Sequence, residues 1–392
     1  MISIVFASNY FNHHEQCLCD ELYSNPEVKF TFVQTEDMSE ERKKLGWAID
    51  LSDFPYIISA SGNDYGRSKA VELCSTADVL ILGSAPYEFV AQRVRDNKLT
   101  FYYAERLFRQ GLWHLLNPGT FISVLRRFII PGRKSNFYLL AASGYTAIDM
   151  SRIYAFGQGR FKWGHFIEVD SQVHLNLNDR NDRLRLLWAG RFLPLKHPEY
   201  PIRIADTLKK RGTNFHLDII GSGVLEPELK KMIQKSHLED VVTIHRPMKP
   251  QEVRSYMEQA DIYMFTSDFN EGWGAVLGEA MASGCAVVTS HGIGATPFLV
   301  EHKKNGLIYE TGKYDSFERN VIKLTEDENL RLLLSKNARQ TMLTQWNAKI
   351  AAERFYRLCK SILQGGEAIY SEQGPLSKAE LLTNNWFKDD TI

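Results

Sequence analysis

The sequence predicts an α/β protein built from two doubly wound parallel-sheet domains. Three observations predict it. The chain has 392 residues, too many for one ordinary core. Short apolar, β-rich runs alternate with helix-forming stretches, and continuous apolar runs separated by helices mark strands buried on both faces of a parallel sheet. The alternation breaks once, at HLNLNDRNDR (174–183), which is polar, rich in Asn and Asp and poor in helix formers.

In order, ISIVFA (2–7), VKFTFV (28–33), DVLILG (78–83), LTFYY (99–103) and FYLLAA (137–142) read as buried strands, with helices such as 66–76 and 87–96 between them. After the break, LRLLWAG (184–190) is a strand and 198–211 a helix. FHLDIIG (215–221), VVTIH (241–245), DIYMFT (261–266) and AVVTS (286–290) continue the strands, with helices over 226–236, 250–259 and 274–283. Residues 345–364 form a long helix closed by Gly365, and the polar stretch beyond reads as a peripheral tail. The expected division is therefore 1–175, a linker over 176–183, 184–344, a helix over 345–365 packing back toward the first domain, and a tail over 366–392. Doubly wound sheets bind ligands beyond the carboxyl ends of their strands, so two of them predict a cleft between domains.

Apolar residues make up 44% and charged residues 24%, as in a globular protein. Lys+Arg and Asp+Glu are both 47, so nothing in the charge calls for nucleic acid. MISIVFASNYFNHH has no basic lead-in and reads as a first strand, not a signal peptide. No run of about 18 apolar residues predicts a membrane span. Five cysteines, an odd number with only Cys17 and Cys19 close together, argue against a disulfide framework and fit a reducing cytoplasm. A metal site from Cys17, Cys19, His13 and His14 matches no common zinc spacing; two half-buried thiols on a helix is the preferred reading.

In NEGWGAVLGE, Glu271 and Glu279 sit eight positions apart. The strand ends at DIYMFT, the turn is Asn270-Glu271-Gly272-Trp273-Gly274, and a helix follows to about Ser283, stopped by Gly284. A helix start offers unpaired N–H groups and a partial positive charge. Gly272 and Gly274 let backbone approach a ligand, a combination that suits a phosphate. The two carboxylates can share one side of the helix. Glu279 can then accept from ribose hydroxyls and Glu271 from a sugar, with a diphosphate between them. The alternative is a capping turn and a solvated glutamate, but Glu279 lies within AVLGEAMA, where a carboxylate needs a partner. AGRFLPLK brings Arg191 and Lys196 off the preceding domain-opening strand. Two cations at the carboxyl edge of the sheet can neutralise a leaving diphosphate. IIGSG (219–223) is an incomplete dinucleotide fingerprint, with Glu226 where a third glycine would stand. Gly221, Ser222 and Gly223 read as a tight turn lining the nucleotide pocket.

These pieces, with EAMASGCAVVTS, NGLIY (305–309) and the final long helix, resemble family 4 glycosyltransferases, which have the GT-B fold of two Rossmann-like domains facing a cleft. The resemblance covers about 184–362; the first half agrees in layout only. It implies a nucleotide-sugar site in the second domain and an acceptor site in the first. Glu271 would contact the donor sugar, Glu279 the ribose, and Arg191 and Lys196 the diphosphate. It also implies a retaining hexosyl or N-acetylhexosaminyl transfer with no metal and no cofactor, the nucleotide-sugar being a substrate. No nucleophile stands out, which fits a same-face mechanism in which the leaving phosphate takes the acceptor proton. UDP is the donor base most frequent in the family, and a saccharide, polymeric or lipid-linked, of the bacterial capsule or exopolysaccharide kind is the acceptor it implies.

The first half departs from the family pattern. Its opening loop is SNYFNHH instead of a glycine-rich turn, placing His13 and His14 at the cleft mouth, or simply capping the helix. Where relatives carry a histidine after a middle strand, this chain has Gly83 or Ala104-Glu105. Glu105 is the cleft candidate; an ion pair with Arg106 or Arg109 is the alternative. SVLRRFIIPGRK (123–134) mixes apolar residues with Arg126, Arg127, Arg133 and Lys134 and suits either an anionic membrane surface or a solvated basic face. Two other classes stay open: a different GT-B enzyme, such as a 2-epimerase acting on UDP-N-acetylglucosamine or a phosphorylase, and a non-catalytic partner subunit. The oligomeric state is not legible.

Overall fold

The computed structural model describes residues 1–40, 49–62, 64–109, 111–167, 169 and 183–389. Two compact units emerge. One comprises Met1–Glu168 with Trp346–Thr383, the other Val169–Gln345 with Asn384–Ile392. The linker expected over 176–183 lies, apart from Arg183, outside the described residues.

The first unit holds a seven-stranded parallel sheet. Its strands are β1 Ile2–Ser8, β2 Val28–Gln34, β3 Ile57–Ser59, β4 Val79–Leu82, β5 Thr100–Ala104, β6 Phe137–Ala141 and β7 Arg160–Lys162, in the order β3-β2-β1-β4-β5-β6-β7. Every residue of β4 and β6 is buried, so these strands are apolar throughout rather than alternating. The three-residue strands β3 and β7, too short for a periodic signal, lie at the sheet edges. The long helix, Ala348–Leu363, packs on helix His13–Ser24. Its Phe355 ring meets Phe101 of β5 at 4.9 Å and Trp163 at 5.7 Å between centroids.

The tail is not loose where it meets this unit. Lys162 N–H donates to the Ser377 carbonyl (2.7 Å), and the amides of Leu376 and Ala379 donate back to Lys162 and Arg160 (both 2.9 Å). Edge strand β7 has unspent backbone groups, and the tail satisfies them. Leu376 and Ala379 are buried in the process.

In the second unit the strands are β8 Leu184–Ala189, β9 Phe215–Ile220, β10 Val242–His245, β11 Ile262–Phe265, β12 Ala286–Ser290 and β13 Leu307–Tyr309. All pair in parallel, in the order β10-β9-β8-β11-β12-β13. Leu186, Leu217, Ile262, Met264 and Val288 from four of these strands join Ile204, Leu208 and Phe317 from covering helices in one core. In each sheet the first strand, β1 or β8, lies centrally, and the winding reverses between it and β4 or β11. Connections leave on opposite faces there, which opens a crevice at the carboxyl edge.

Candidate functional site

The two loops flanking the reversal of the second sheet carry Arg191, Lys196 and Glu271. One follows β8 and runs through Gly190–Lys196. The other follows β11 and runs through Thr266–Gly274. They are stitched together by backbone. Asp268 N–H donates to the Leu195 carbonyl (2.9 Å), and the Thr266 hydroxyl donates to the Lys196 carbonyl (2.6 Å) while accepting from the Trp188 indole (2.8 Å). That stitching brings Lys196 and Glu271, 75 positions apart, into an ion pair. Only 15% and 13% of their side chains remain exposed, and the ammonium also sits 5.7 Å from the centre of the Phe265 ring. His197 follows in a left-handed conformation (φ +48°) that turns the chain out of the loop. Its ring nitrogen lies 2.9 Å from the Glu199 carboxylate, which raises its pKa.

Arg191 is exposed and forms no ion pair with a described residue, so its guanidinium is available to a ligand. The adjoining glycines hold its loop in place. A Cβ on Gly221 would fall 1.9 Å from the Gly190 carbonyl oxygen, and one on Gly223 2.6 Å from that of Phe192. The turn expected to line a nucleotide pocket thus also serves as the bed on which the Arg191 loop lies, with Phe192 N–H donating to the Ser222 carbonyl (2.8 Å).

Beyond Glu271 the structure corrects the bounds of the helix. The helix begins at Val276, not Gly274, and runs only to Ala282. Glu271 stands in the turn before it, as expected, and that turn is bent by Gly274 at φ +81°. The Trp273 side chain is 2% exposed, packed beside Phe298, so only its backbone can meet a ligand. The carbonyls of Gly272 and Trp273 are taken by Gly294 and Ala295 (3.1 and 2.9 Å), whereas the amides of Gly272 and Gly274 donate to no described residue. Those N–H groups suit an anionic oxygen. Glu279 lies in the first turn of the helix, half-buried; burial raises its pKa, and Arg254 offsets this in part. A carboxylate short of solvation there gains from hydroxyl donors.

The reversal in the first unit also forms a cavity. Ser8 at the end of β1 with Asn9 after it, Gly83 and Ser84 after β4, and Glu105 and Arg106 after β5 line it. Glu105 is paired with Arg109, the alternative foreseen for it, while still facing the cavity. Asp149 secures that loop by accepting from the amides of Phe108 (2.8 Å) and Leu107 (3.1 Å). The residue that sequence reasoning missed is His165. It follows the short strand β7, lines the cavity and places Nδ1 3.0 Å from the Tyr103 hydroxyl. Burial, with His13 adding a smaller push, lowers its pKa to about 4, so the imidazole is neutral at pH 7. The His14 ring lies 5.1 Å from that of His165, and the His14 amide is capped by Asn12 (2.9 Å). The only sequence signal for His165 was the GH after RFKW, hidden because three residues do not announce a strand.

Two parallel-sheet units, each with its crevice-forming reversal, make up the GT-B fold. Residues 173–341 match the family model for glycosyl transferases group 1. The chain resembles the amylovoran biosynthesis glycosyltransferase AmsK of Erwinia amylovora, 32% identical over 199 residues, 49% of this chain and 48% of that one. It is likewise 32% identical over 173 residues to the N-acetylgalactosamine-N,N'-diacetylbacillosaminyl-diphospho-undecaprenol 4-alpha-N-acetylgalactosaminyltransferase of Campylobacter jejuni, 43% of this chain and 44% of that one. The chain thus spans about half the length of these curated relatives. Among solved structures, HepE of Anabaena in complex with UDP matches 92% of this chain and all of its own, at a TM-score of 0.69 and 14% identity.

Proposed function

We propose that the chain transfers a sugar from a nucleotide-sugar, with UDP as the base, to a saccharide acceptor, and that it retains the anomeric configuration. The Lys196–Glu271 pair at the sheet reversal carries this reading, because it lies inside the block that matches the glycosyl transferases group 1 model. Without donor, Lys196 is held by a carboxylate. A diphosphate carries more negative charge than that carboxylate, so on donor binding the ammonium moves to it and Glu271 is released to accept from sugar hydroxyls. Arg191 closes on the same diphosphate, the Gly272 and Gly274 amides support it, and Glu279 accepts from the ribose. Charge on the leaving diphosphate grows in the transition state, so fixed cations there lower the barrier without a divalent metal. As the glycosidic bond to phosphate breaks, the acceptor oxygen bonds on the same face and passes its proton to the departing phosphate oxygen.

The cavity of the first unit, with Glu105, neutral His165 and nearby His14, takes the acceptor. What AmsK is named for supports a surface polysaccharide as product, and what the Campylobacter enzyme is named for supports a lipid-linked acceptor. None of the five cysteines is in a disulfide, which fits a cytoplasmic site of action. The test is nucleoside diphosphate release from UDP-, GDP- and ADP-sugars with a mixed oligosaccharide acceptor pool, with and without chelator, followed by the anomeric coupling of the product. Acceptor-dependent release, indifferent to chelator and giving the donor's anomer, is expected. An inverted product, or consumption of UDP-N-acetylglucosamine with no acceptor present, would sink the reading.

A further inference from the structure

The first unit carries a surface that its fold leaves unused. From Arg106 to Ile148 the sequence contains no Asp or Glu, although the chain as a whole is neutral. Within this stretch the backbone runs through a 3-10 turn at Leu112–Leu116, a helix at Pro118–Val124, a π-turn at Leu125–Ile129 and a last turn at Ile130–Gly132. π-turns are rare and concentrate at functional places. Six large apolar side chains in it face solvent: Leu112, Trp113, Leu116, Phe121, Ile122 and Ile130. Leu116 is 86% exposed and Trp113 62%. Exposed apolar residues scattered singly need no explanation, but six within 19 positions do. Arg126, Arg127 and Arg133 are exposed among or just beyond them, with Lys134 half-buried beside Arg133.

We infer that residues 112–134 form a docking surface for a bilayer containing anionic lipid. Trp, Phe and Leu side chains with flanking arginines are the composition that seats a helical segment in the headgroup region, apolar groups inward and cations on the lipid phosphates. No helix among the described residues is long and apolar enough to cross a membrane, so this attachment is peripheral. A second copy of the chain is the poorer occupant. A two-fold interface on this face would set arginines against arginines with no carboxylate from the stretch to relieve them. Arg127 and Phe128 also line the cavity of this unit, so the surface and the cavity adjoin. A membrane-anchored substrate for that cavity would be presented from the lipid plane.

Partition is measured by sedimenting the full chain with vesicles of phosphatidylcholine alone and with vesicles in which about a third of the lipid is phosphatidylglycerol. Binding to the anionic vesicles only, weakened by high salt, is expected. Arg126→Gln with Arg133→Gln should lower the partition coefficient about 25-fold, from about fivefold per cation. Trp113→Ser with Leu116→Ser should lower it at least about tenfold, and Leu116→Ser alone, at a side chain 86% exposed, should lower it less and leave the melting temperature unchanged. No binding to anionic vesicles, or binding that survives both pairs of substitutions, would overturn the inference. So would lipid-free dimers, seen by light scattering, that Leu116→Ser dissolves. The readout needs neither donor nor acceptor, so it stands or falls apart from the sugar-transfer reading.

Discussion

Replacing Lys196 by alanine takes the cation from a carboxylate that keeps 13% of its side chain in water. An exposed ion pair contributes about 0–1 kcal/mol, whereas breaking a buried one costs about 3–5 because a charge is left behind without a partner. With 15% and 13% exposure the pair falls nearer the second case, and some water still reaches Glu271. We therefore expect a loss of about 2–3 kcal/mol. In a unit of this size each kcal/mol lowers the melting temperature by about 2–4 °C, giving a fall of about 5–10 °C. Glu271→Ala strands the ammonium and should cost a similar amount. The double variant removes both charges. Most of the penalty should therefore disappear, leaving a coupling energy of about 1.5–2.5 kcal/mol in the double-mutant cycle. The assay is thermal melting of the four proteins at pH 7 without nucleotide. Additive losses would refute the reasoning, and so would a Lys196→Ala loss below about 0.5 kcal/mol, the level of a solvated pair.

Three more predictions rest on single residues. Gly221→Ala sets a methyl against the Gly190 carbonyl at φ +149°. It should cost about 3 kcal/mol and weaken nucleotide binding by displacing the Arg191 loop, which chemical denaturation and nucleotide titration would show; a variant as stable as the parent would contradict it. Asp149→Ala leaves two amides short of an acceptor, takes a carboxylate from beside Arg106 and should cost about 3 kcal/mol; Asp149→Asn, which keeps a carbonyl, should cost less than half of that by the same denaturation. For Glu279 the folded carboxyl pKa is raised. Folding thus favours its protonated form, a contribution fully present below the unfolded pKa and lost as pH rises through the folded one. Glu279→Gln should then melt higher than the parent at pH 7 and lose that advantage near pH 4; equal melting curves at pH 7 would show that the ionised carboxylate carries no burial penalty.

Strands such as VLIL of β4 and IYMF of β11 were legible because each is buried on both faces and needs nothing but apolar side chains. The carboxylates and cations of the second unit were legible for a different reason: their spacing along each loop is local. The pairing across loops was not. Lys196 and Glu271 meet only because β8 and β11 are neighbours, a fact of sheet order that spacing along the chain does not encode. The same blindness hid His165, which reaches the cavity from behind an edge strand of three residues. It also let the helix be started two residues too early, at Gly274, since Gly274 at positive φ ends a loop that reads in sequence like a helix start. The tail's antiparallel bridge to β7 has no periodic trace, because backbone groups rather than side chains make it.

The most direct test of the account is calorimetric titration of UDP into the parent chain and into Glu279→Ala, each with and without chelator. The parent should bind with the same affinity under both conditions. The variant, still folded by circular dichroism, should bind at least about tenfold more weakly, as expected from losing charge-assisted hydrogen bonds to the ribose. Equal affinities, or no binding by the parent, would contradict the placement of the nucleotide at the reversal of the second sheet.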